Sequence, residues 1–113
     1  MSSAHPAGAV IVLTTIGTSS DGEALARTLV TERLAACVNL LPEMQSLYQW
    51  KGELTADRER QLIIKTTANR LEALRTRLHQ LHPYDLPEFL VVAVTDGSPG
   101  YLEWLAQNTA VEG

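Results

Sequence analysis

Short apolar runs and stretches with helical spacing follow one another along the chain. Residues 9–15 form an apolar, β-branched run, which is typical of a strand buried on both faces. The polar stretch 17–22 ends this strand. Ser20, with Glu23 three residues later, matches a capping box and predicts the start of a helix. The inward positions of that helix are then Leu25, Leu29, Val30 and Leu34.

Residues 36–66 predict a long β-hairpin with a turn at Lys51-Gly52. Pro42 has no backbone donor, so we expect it at a bulge or an edge that divides the first arm into two parts. The return arm begins with the polar residues 53–60 and ends in the apolar residues 62–64. Only its second half is therefore expected in a core, and the hairpin tip should protrude.

Residues 68–81 carry leucines at spacings of three and four, which predicts a helix with one apolar face. These leucines are Leu71, Leu74, Leu78 and Leu81. Pro83 and Pro87 should force an extended connection before another apolar strand at residues 89–94. Ser98-Pro99 fits the cap and first turn of a last helix. The predicted fold is a ferredoxin-like βαββαβ α+β domain with an antiparallel sheet and a C-terminal helix.

Both side-chain registers of the first and last predicted strands are apolar. In a ferredoxin-like arrangement the crossover helices cover only one face of the sheet, so the other face should form a large apolar patch. A terminal helix of about ten residues is too short to cover four strands. We therefore expect the chain to associate with copies of itself, with the long hairpin as an arm for pairing between subunits.

The composition limits the class of protein further. At 113 residues with 45% hydrophobic content, the chain is expected to form one domain over residues 9–113, after a disordered leader at residues 1–8. The formal net charge is -4 and no basic cluster interrupts it, so nucleic acid is not an expected partner. A single cysteine, Cys37, and the lack of a membrane-length apolar run predict a cytoplasmic protein without a membrane partner.

Five segments, in this order, resemble the CutA divalent-cation-tolerance family over roughly residues 10–106. They are Glu-Arg-Leu-Ala-Ala-Cys-Val-Asn (32–39), Ser-Leu-Tyr-Gln-Trp-Lys-Gly (46–52), Leu-Ile-Ile-Lys-Thr (62–66), His-Pro-Tyr-Asp-Leu-Pro-Glu (82–88) and Gly-Tyr-Leu-Glu-Trp-Leu (100–105). The resemblance implies a ferredoxin-like homotrimer, a likeness to the PII signalling proteins and a link to tolerance of copper and other divalent metals. No cofactor is expected to be required, although copper or another divalent metal ion is a candidate ligand.

Members that resemble copper binders have a Cys at the end of the first strand and a His-His-Pro-Tyr motif. This chain has Thr14 at the first position and Leu81-His82-Pro83-Tyr84 at the second, so only His82 matches. His79, three residues earlier, is compatible with shared coordination if the helix continues through Leu81. The alternative is a pair of solvated surface imidazoles. Cys37 is interpreted as a small buried hydrophobe rather than a ligand or nucleophile.

A second set of residues, from the hairpin and the proline-flanked loop, is assigned to an intersubunit cleft that the resemblance suggests. This set is Tyr48, Trp50, Lys65, Tyr84, Asp85 and Glu88. Such a cleft is expected to bind a small anion or metabolite. The alternative is that the aromatic residues pack at a trimer interface and that Lys65 pairs with a carboxylate.

No arrangement of catalytic residues or phosphate-binding glycines appears at an informative spacing. We therefore predict that the protein is not an enzyme. The three functional hypotheses are a metal-tolerance protein with His82 as the main candidate ligand, a PII-like sensor of a small ligand, and a trimeric scaffold.

Overall fold

The computed structural model describes residues 8–111. Apart from Gly8, the predicted leader lies outside the described residues. The elements are β1 (Ala9–Gly17), α1 (Gly22–Thr31), β2 (Cys37–Leu40), β3 (Met44–Trp50), β4 (Glu53–Thr67), a 3₁₀ turn (Ala68–Arg70), α2 (Leu71–Leu81), β5 (Leu90–Ala93) and α3 (Pro99–Gln107). The predicted ferredoxin-like order with a C-terminal helix is confirmed. No helix in this part of the chain is long and apolar enough to cross a bilayer.

The strands form one antiparallel sheet in the order β2-β4-β1-β5, and β3 pairs with the outer half of β4. β2 and β3 are the two parts of the predicted first arm, and Pro42 lies between them. The turn is at Lys51 and Gly52, which have φ angles of 53° and 82°. Two successive left-handed residues are typical of the hairpin turn whose twist matches that of the flanking strands.

The core lies between α1, α2 and one face of the sheet. Alternate residues of β1 and β4 face the helices, and the fully buried members of this cluster are Val12, Leu29, Ala35, Leu62, Ile64, Leu74 and Leu78. The predicted capping residue of α1 was wrong by one position. Asp21 is the N-cap, and its Oδ1 accepts a hydrogen bond from the Ala24 backbone N–H at 2.9 Å.

The other face of the sheet has no helix over most of its area. Its apolar side chains come from alternate positions of three strands and are Ile11, Leu13, Ile63, Leu90 and Val92. Leu90 and Val92, on the edge strand β5, are 56% and 47% exposed. α3 covers only one end, where Thr109 Oγ1 lies 3.2 Å from Thr67 Oγ1. We call this surface the open face.

Candidate functional site

A cleft of about 690 Å³ lies between the hairpin and the loop of residues 84–88. Met44 pairs with Glu59, Ser46 with Asp57 and Tyr48 with Thr55, so alternate residues of β3 and β4 share the hairpin face that forms one wall. Pro83 precedes the loop that forms the other wall, and Pro87 lies within it. The cleft is lined by Thr15, Met44, Ser46, Tyr48, Trp50, Asp57, Glu59, Gln61, Tyr84, Asp85, Leu86, Pro87 and Glu88.

Two tyrosines of the cleft each donate a hydrogen bond to a carboxylate. Tyr84 Oη donates to Glu59 Oε2 at 2.7 Å, and Tyr48 Oη donates to Asp57 Oδ2. Burial, together with the hydrogen bond to Glu59, raises the pKa of Tyr84 well above its usual value. The hydrogen bond to Asp57 is the main cause that raises the pKa of Tyr48. Both phenols therefore stay protonated at neutral pH, with their protons committed to the two carboxylates.

Gln61 connects the loop to the sheet at the base of the cleft. Its Nε2 donates to the Thr14 backbone oxygen at 2.7 Å and to Glu88 Oε2 at 3.0 Å. The position of Glu88 is thus set by a residue of β4, which is itself paired on both sides in the sheet. The two walls of the cleft are held together by this amide and by the Tyr84–Glu59 hydrogen bond.

His82 lies behind the cleft and is 6% exposed. Its Nε2 is 2.6 Å from the Thr15 backbone oxygen, and its Nδ1 is 3.1 Å from the Tyr84 backbone nitrogen. A neutral imidazole that donates from Nε2 and accepts at Nδ1 satisfies both contacts. His82 therefore connects β1 to the start of the loop through two hydrogen bonds. Copper coordination by either ring nitrogen would require one of these hydrogen bonds to break.

His79 is exposed on α2 and has different neighbours from His82. Its Nδ1 is 2.8 Å from the Arg75 backbone oxygen, and its ring centroid is 6.4 Å from that of Phe89. No group of three or more His, Cys, Asp or Glu side chains within residues 8–111 is arranged to hold a metal ion. His79 and His82 thus make separate contacts, and copper binding by the two residues stays a prediction.

The structure places five of the six predicted cleft residues together and leaves one out. Tyr48, Trp50, Tyr84, Asp85 and Glu88 all line the cleft. Lys65 instead pairs with Ile11 and Cys37 on the inner part of the open face. It is four residues along β4 from Gln61, which corresponds to about 13 Å of strand. Cys37 is partly buried there, and Thr14 is fully buried on the helix side.

Sequence reasoning missed the acidic residues that the outer half of β4 contributes. Asp57 and Glu59 lie in a polar segment, and only the pairing register shows that they face the same side as Tyr48. Their side of β4 could have been predicted from alternation along the strand. Side chains two residues apart point the same way, so Asp57 and Glu59 must face away from the side on which Leu62 and Ile64 are buried. The lining contains Asp57, Glu59, Asp85 and Glu88, and it includes no lysine, arginine or histidine side chain.

The fold and the cleft define the class of protein, which is a ferredoxin-like α+β domain with a ligand-sized cleft at the base of a long hairpin. The family model described as "CutA1 divalent ion tolerance protein" matches residues 10–108, so the chain belongs to this family. A divalent-cation tolerance protein CutA from Thermus thermophilus is 41% identical over 99 residues, which cover 88% of this chain and 96% of that protein.

Solved structures give the same result. The crystal structure of CutA from Xylella fastidiosa has a TM-score of 0.87 and 42% identity, covering 91% of this chain and 99% of that one. A structure described as the PII-like protein CutA from Nostoc sp., in apo form, has a TM-score of 0.84 and 37% identity, covering 91% and 99%. The resemblance predicted from the five segments is therefore confirmed for the family and the fold.

Proposed function

We propose that this chain forms a homotrimer in the cytoplasm that acts in tolerance of, or response to, divalent metal ions such as copper. Membership of the divalent ion tolerance family over residues 10–108 supports the metal connection. The single cysteine supports a reducing compartment. The open face is the observation that carries the proposed assembly, since apolar strands with about half-exposed side chains call for a covering partner.

Light scattering tests the assembly. We expect the mass of three chains for the unmodified protein, and a smaller mass for Val92→Glu, which puts a charge on the open face. Val30→Glu is the matched control, because Val30 is 41% exposed on α1, which packs on the opposite side of the sheet from the open face. The mass of one chain for the unmodified protein at micromolar concentration would rule out the proposed homotrimer.

Direct copper binding by His82, with His79, is the finer hypothesis. Calorimetric titration of copper into the unmodified protein, His82→Ala and His79→Ala tests it. Loss of the binding heat in both variants would support a shared site. Heat that is unchanged in His82→Ala would exclude this residue as a ligand, and no heat above buffer would exclude direct binding under those conditions.

A second candidate function is PII-like sensing of a small ligand in the cleft between the hairpin and residues 84–88. The specific observation in its favour is a cavity of about 690 Å³ with aromatic, apolar and charged groups on opposing walls, a size and mixture typical of small-molecule sites. A ligand that binds only the folded protein must raise its melting temperature. A thermal-shift screen of metabolites therefore tests the proposal, and a screen without any saturable shift would count against it.

A further inference from the structure

The charge of the cleft lining points to a particular class of ligand. Asp57, Glu59, Asp85 and Glu88 line the cleft, whereas no lysine, arginine or histidine side chain is part of that lining. Among the residues that one chain contributes to the lining, a small anion would face several carboxylates and no lysine, arginine or histidine side chain. The anion expected from the sequence relied on Lys65, which lies elsewhere on the sheet.

Glu59 is the strongest single indication. It is 6% exposed, and its Oε2 is held by Tyr84 Oη at 2.7 Å. Within residues 8–111 the salt bridges are formed by other carboxylates, and the hydrogen bond from Tyr84 is the one made to this side chain. Buried carboxylates are normally paired with a cation or fully hydrogen-bonded. The second oxygen, Glu59 Oε1, has no hydrogen-bond partner among the described residues and is not fully buried, so it is open to the cavity that Glu59 lines.

The aromatic residues favour an organic cation over a metal ion. Tyr48, Trp50 and Tyr84 line the same cavity, and aromatic ring faces attract ammonium and guanidinium groups. Lys51, the next residue along the chain from Trp50, has its Nζ 5.8 Å from the centroid of the Trp50 ring. A divalent metal ion needs several converging ligands, and residues 8–111 contain no group of three or more His, Cys, Asp or Glu arranged to hold one.

We propose that the cleft binds a small organic cation, with an ammonium or guanidinium group against Glu59 and its carbon skeleton between the aromatic side chains and the loop. The inference rests on the proposal that the cleft is a ligand site, and it specifies the charge and chemical class of the ligand. Leu86 and Pro87 supply apolar lining from the loop, and Asp57 and Glu88 add negative charge to the lining.

The test uses two probes of the same shape and different charge, N-acetyl-arginine amide and N-acetyl-citrulline amide. Calorimetry with the 113-residue chain should show saturable binding of the arginine probe, at least about tenfold tighter than that of the neutral citrulline probe. The affinity should fall as the salt concentration rises, because exposed charges are screened. ATP, as an anionic probe, should not compete.

Glu59→Gln should weaken binding of the arginine probe about tenfold or more, since it removes the charge and keeps an oxygen that can accept from Tyr84. Asp57→Asn is a second variant at an exposed position and should weaken binding in the same direction. Glu23→Gln is the matched control, because Glu23 is paired with Arg27 on the far side of the sheet. Melting curves establish that each variant is folded.

Equal binding of the two probes, an unchanged affinity in folded Glu59→Gln and Asp57→Asn, or no saturable binding of the arginine probe would overturn the inference. The proposed function has separate readouts. If the thermal-shift screen finds an anionic ligand that competes for the cleft, the sensor proposal stands and the cationic class is wrong. The masses from light scattering and the copper titration do not depend on either result.

Discussion

The inner and outer halves of β4 belong to one continuous strand and behave as two different regions. Residues 60–67 pair with β1, residues 62–65 also pair with β2, and this half carries the fully buried Leu62 and Ile64. Residues 53–59 pair with β3, and only Glu59 also reaches β1. The outer half is exposed except for Glu59 and the partly buried Thr55. One strand thus supplies the centre of the core and, further along, the acidic wall of the cleft.

This difference shows how the fold places a polar site next to a stable core. The inner half gains its stability from apolar burial on the helix side, and it holds the outer half in a fixed direction. The outer half has little apolar burial of its own, so its geometry relies on hydrogen bonds such as those of Tyr84 and Tyr48. Substitutions in the two halves should therefore affect different properties.

The largest expected effect is in the inner half. Leu62→Ala removes a fully buried side chain from the core, and we expect it to lower the free energy of unfolding by about 2–5 kcal/mol. Leu54→Ala, eight residues earlier in the same strand at a site that is 72% exposed, should change it by less than about 0.5 kcal/mol. Denaturant unfolding at one fixed protein concentration measures both changes. Similar losses of unfolding free energy in the two variants would contradict the difference between the inner and outer halves of β4.

His82 is the next test, because it connects β1, which pairs with the inner half, to the loop whose Tyr84 is hydrogen-bonded to Glu59 of the outer half. His82→Ala leaves the Thr15 backbone oxygen without its buried donor, which should cost about 1–3 kcal/mol of unfolding free energy. The exposed His79→Ala should cost less than about 0.5 kcal/mol. Hydrogen exchange at the Tyr84 amide, which donates to His82 Nδ1, should accelerate in the first variant alone. An unchanged exchange rate at the Tyr84 amide would contradict the role of His82 in connecting β1 to the loop.

Tyr84 predicts a pH effect confined to the outer region. Its folded-state pKa is raised by burial and by the hydrogen bond to Glu59, so its contribution to stability is fully present below the unfolded pKa of about 10. This contribution is lost as the pH rises above that value towards the folded pKa. Unfolding measured from neutral to strongly alkaline pH should show a shallower decline in Tyr84→Phe, and an equally steep decline would refute this role.

Most of the fold was predictable because it depends on local and periodic signals. The leucine spacing of α2, the turn at Lys51-Gly52 and the interruption at Pro42 each report backbone geometry directly. Asp21 replaced Ser20 as the cap because adjacent residues of similar capping preference cannot be separated by pattern alone. Such errors of one residue leave the topology unchanged.

The candidate site was only partly predictable because it depends on contacts between distant parts of the chain. Tyr84 and Glu59 are 25 residues apart, and their hydrogen bond follows from how the loop folds back on the hairpin. The two hydrogen bonds of the His82 ring, to the Thr15 backbone oxygen and from the Tyr84 backbone N–H, could not be predicted from any sequence motif. Lys65 was assigned to the cleft because it lies on the same face of the sheet as the cleft residue Gln61. The assignment did not take into account that Lys65 is four residues further along β4.

The smallest expected effect separates two buried threonines of the inner region. Thr14 and Thr66 are both fully buried on the helix side of the sheet. Thr66 Oγ1 donates to the Leu34 backbone oxygen at 2.7 Å, whereas Thr14 Oγ1 has no hydrogen-bond partner within the described residues. A buried hydroxyl without a partner is destabilising, since its hydrogen bonds to water are lost on folding without replacement.

Valine has nearly the same shape as threonine, so it removes the hydroxyl with little change in packing. We therefore expect Thr14→Val to raise the free energy of unfolding by about 1 kcal/mol and Thr66→Val to lower it by about the same amount. Denaturant unfolding of the two variants in parallel makes each the control for the other. A loss of stability in Thr14→Val would show that the Thr14 hydroxyl does form a stabilising hydrogen bond. The helix side of the sheet next to the inner half of β4 would then contain a polar contact at Thr14 in addition to its apolar packing.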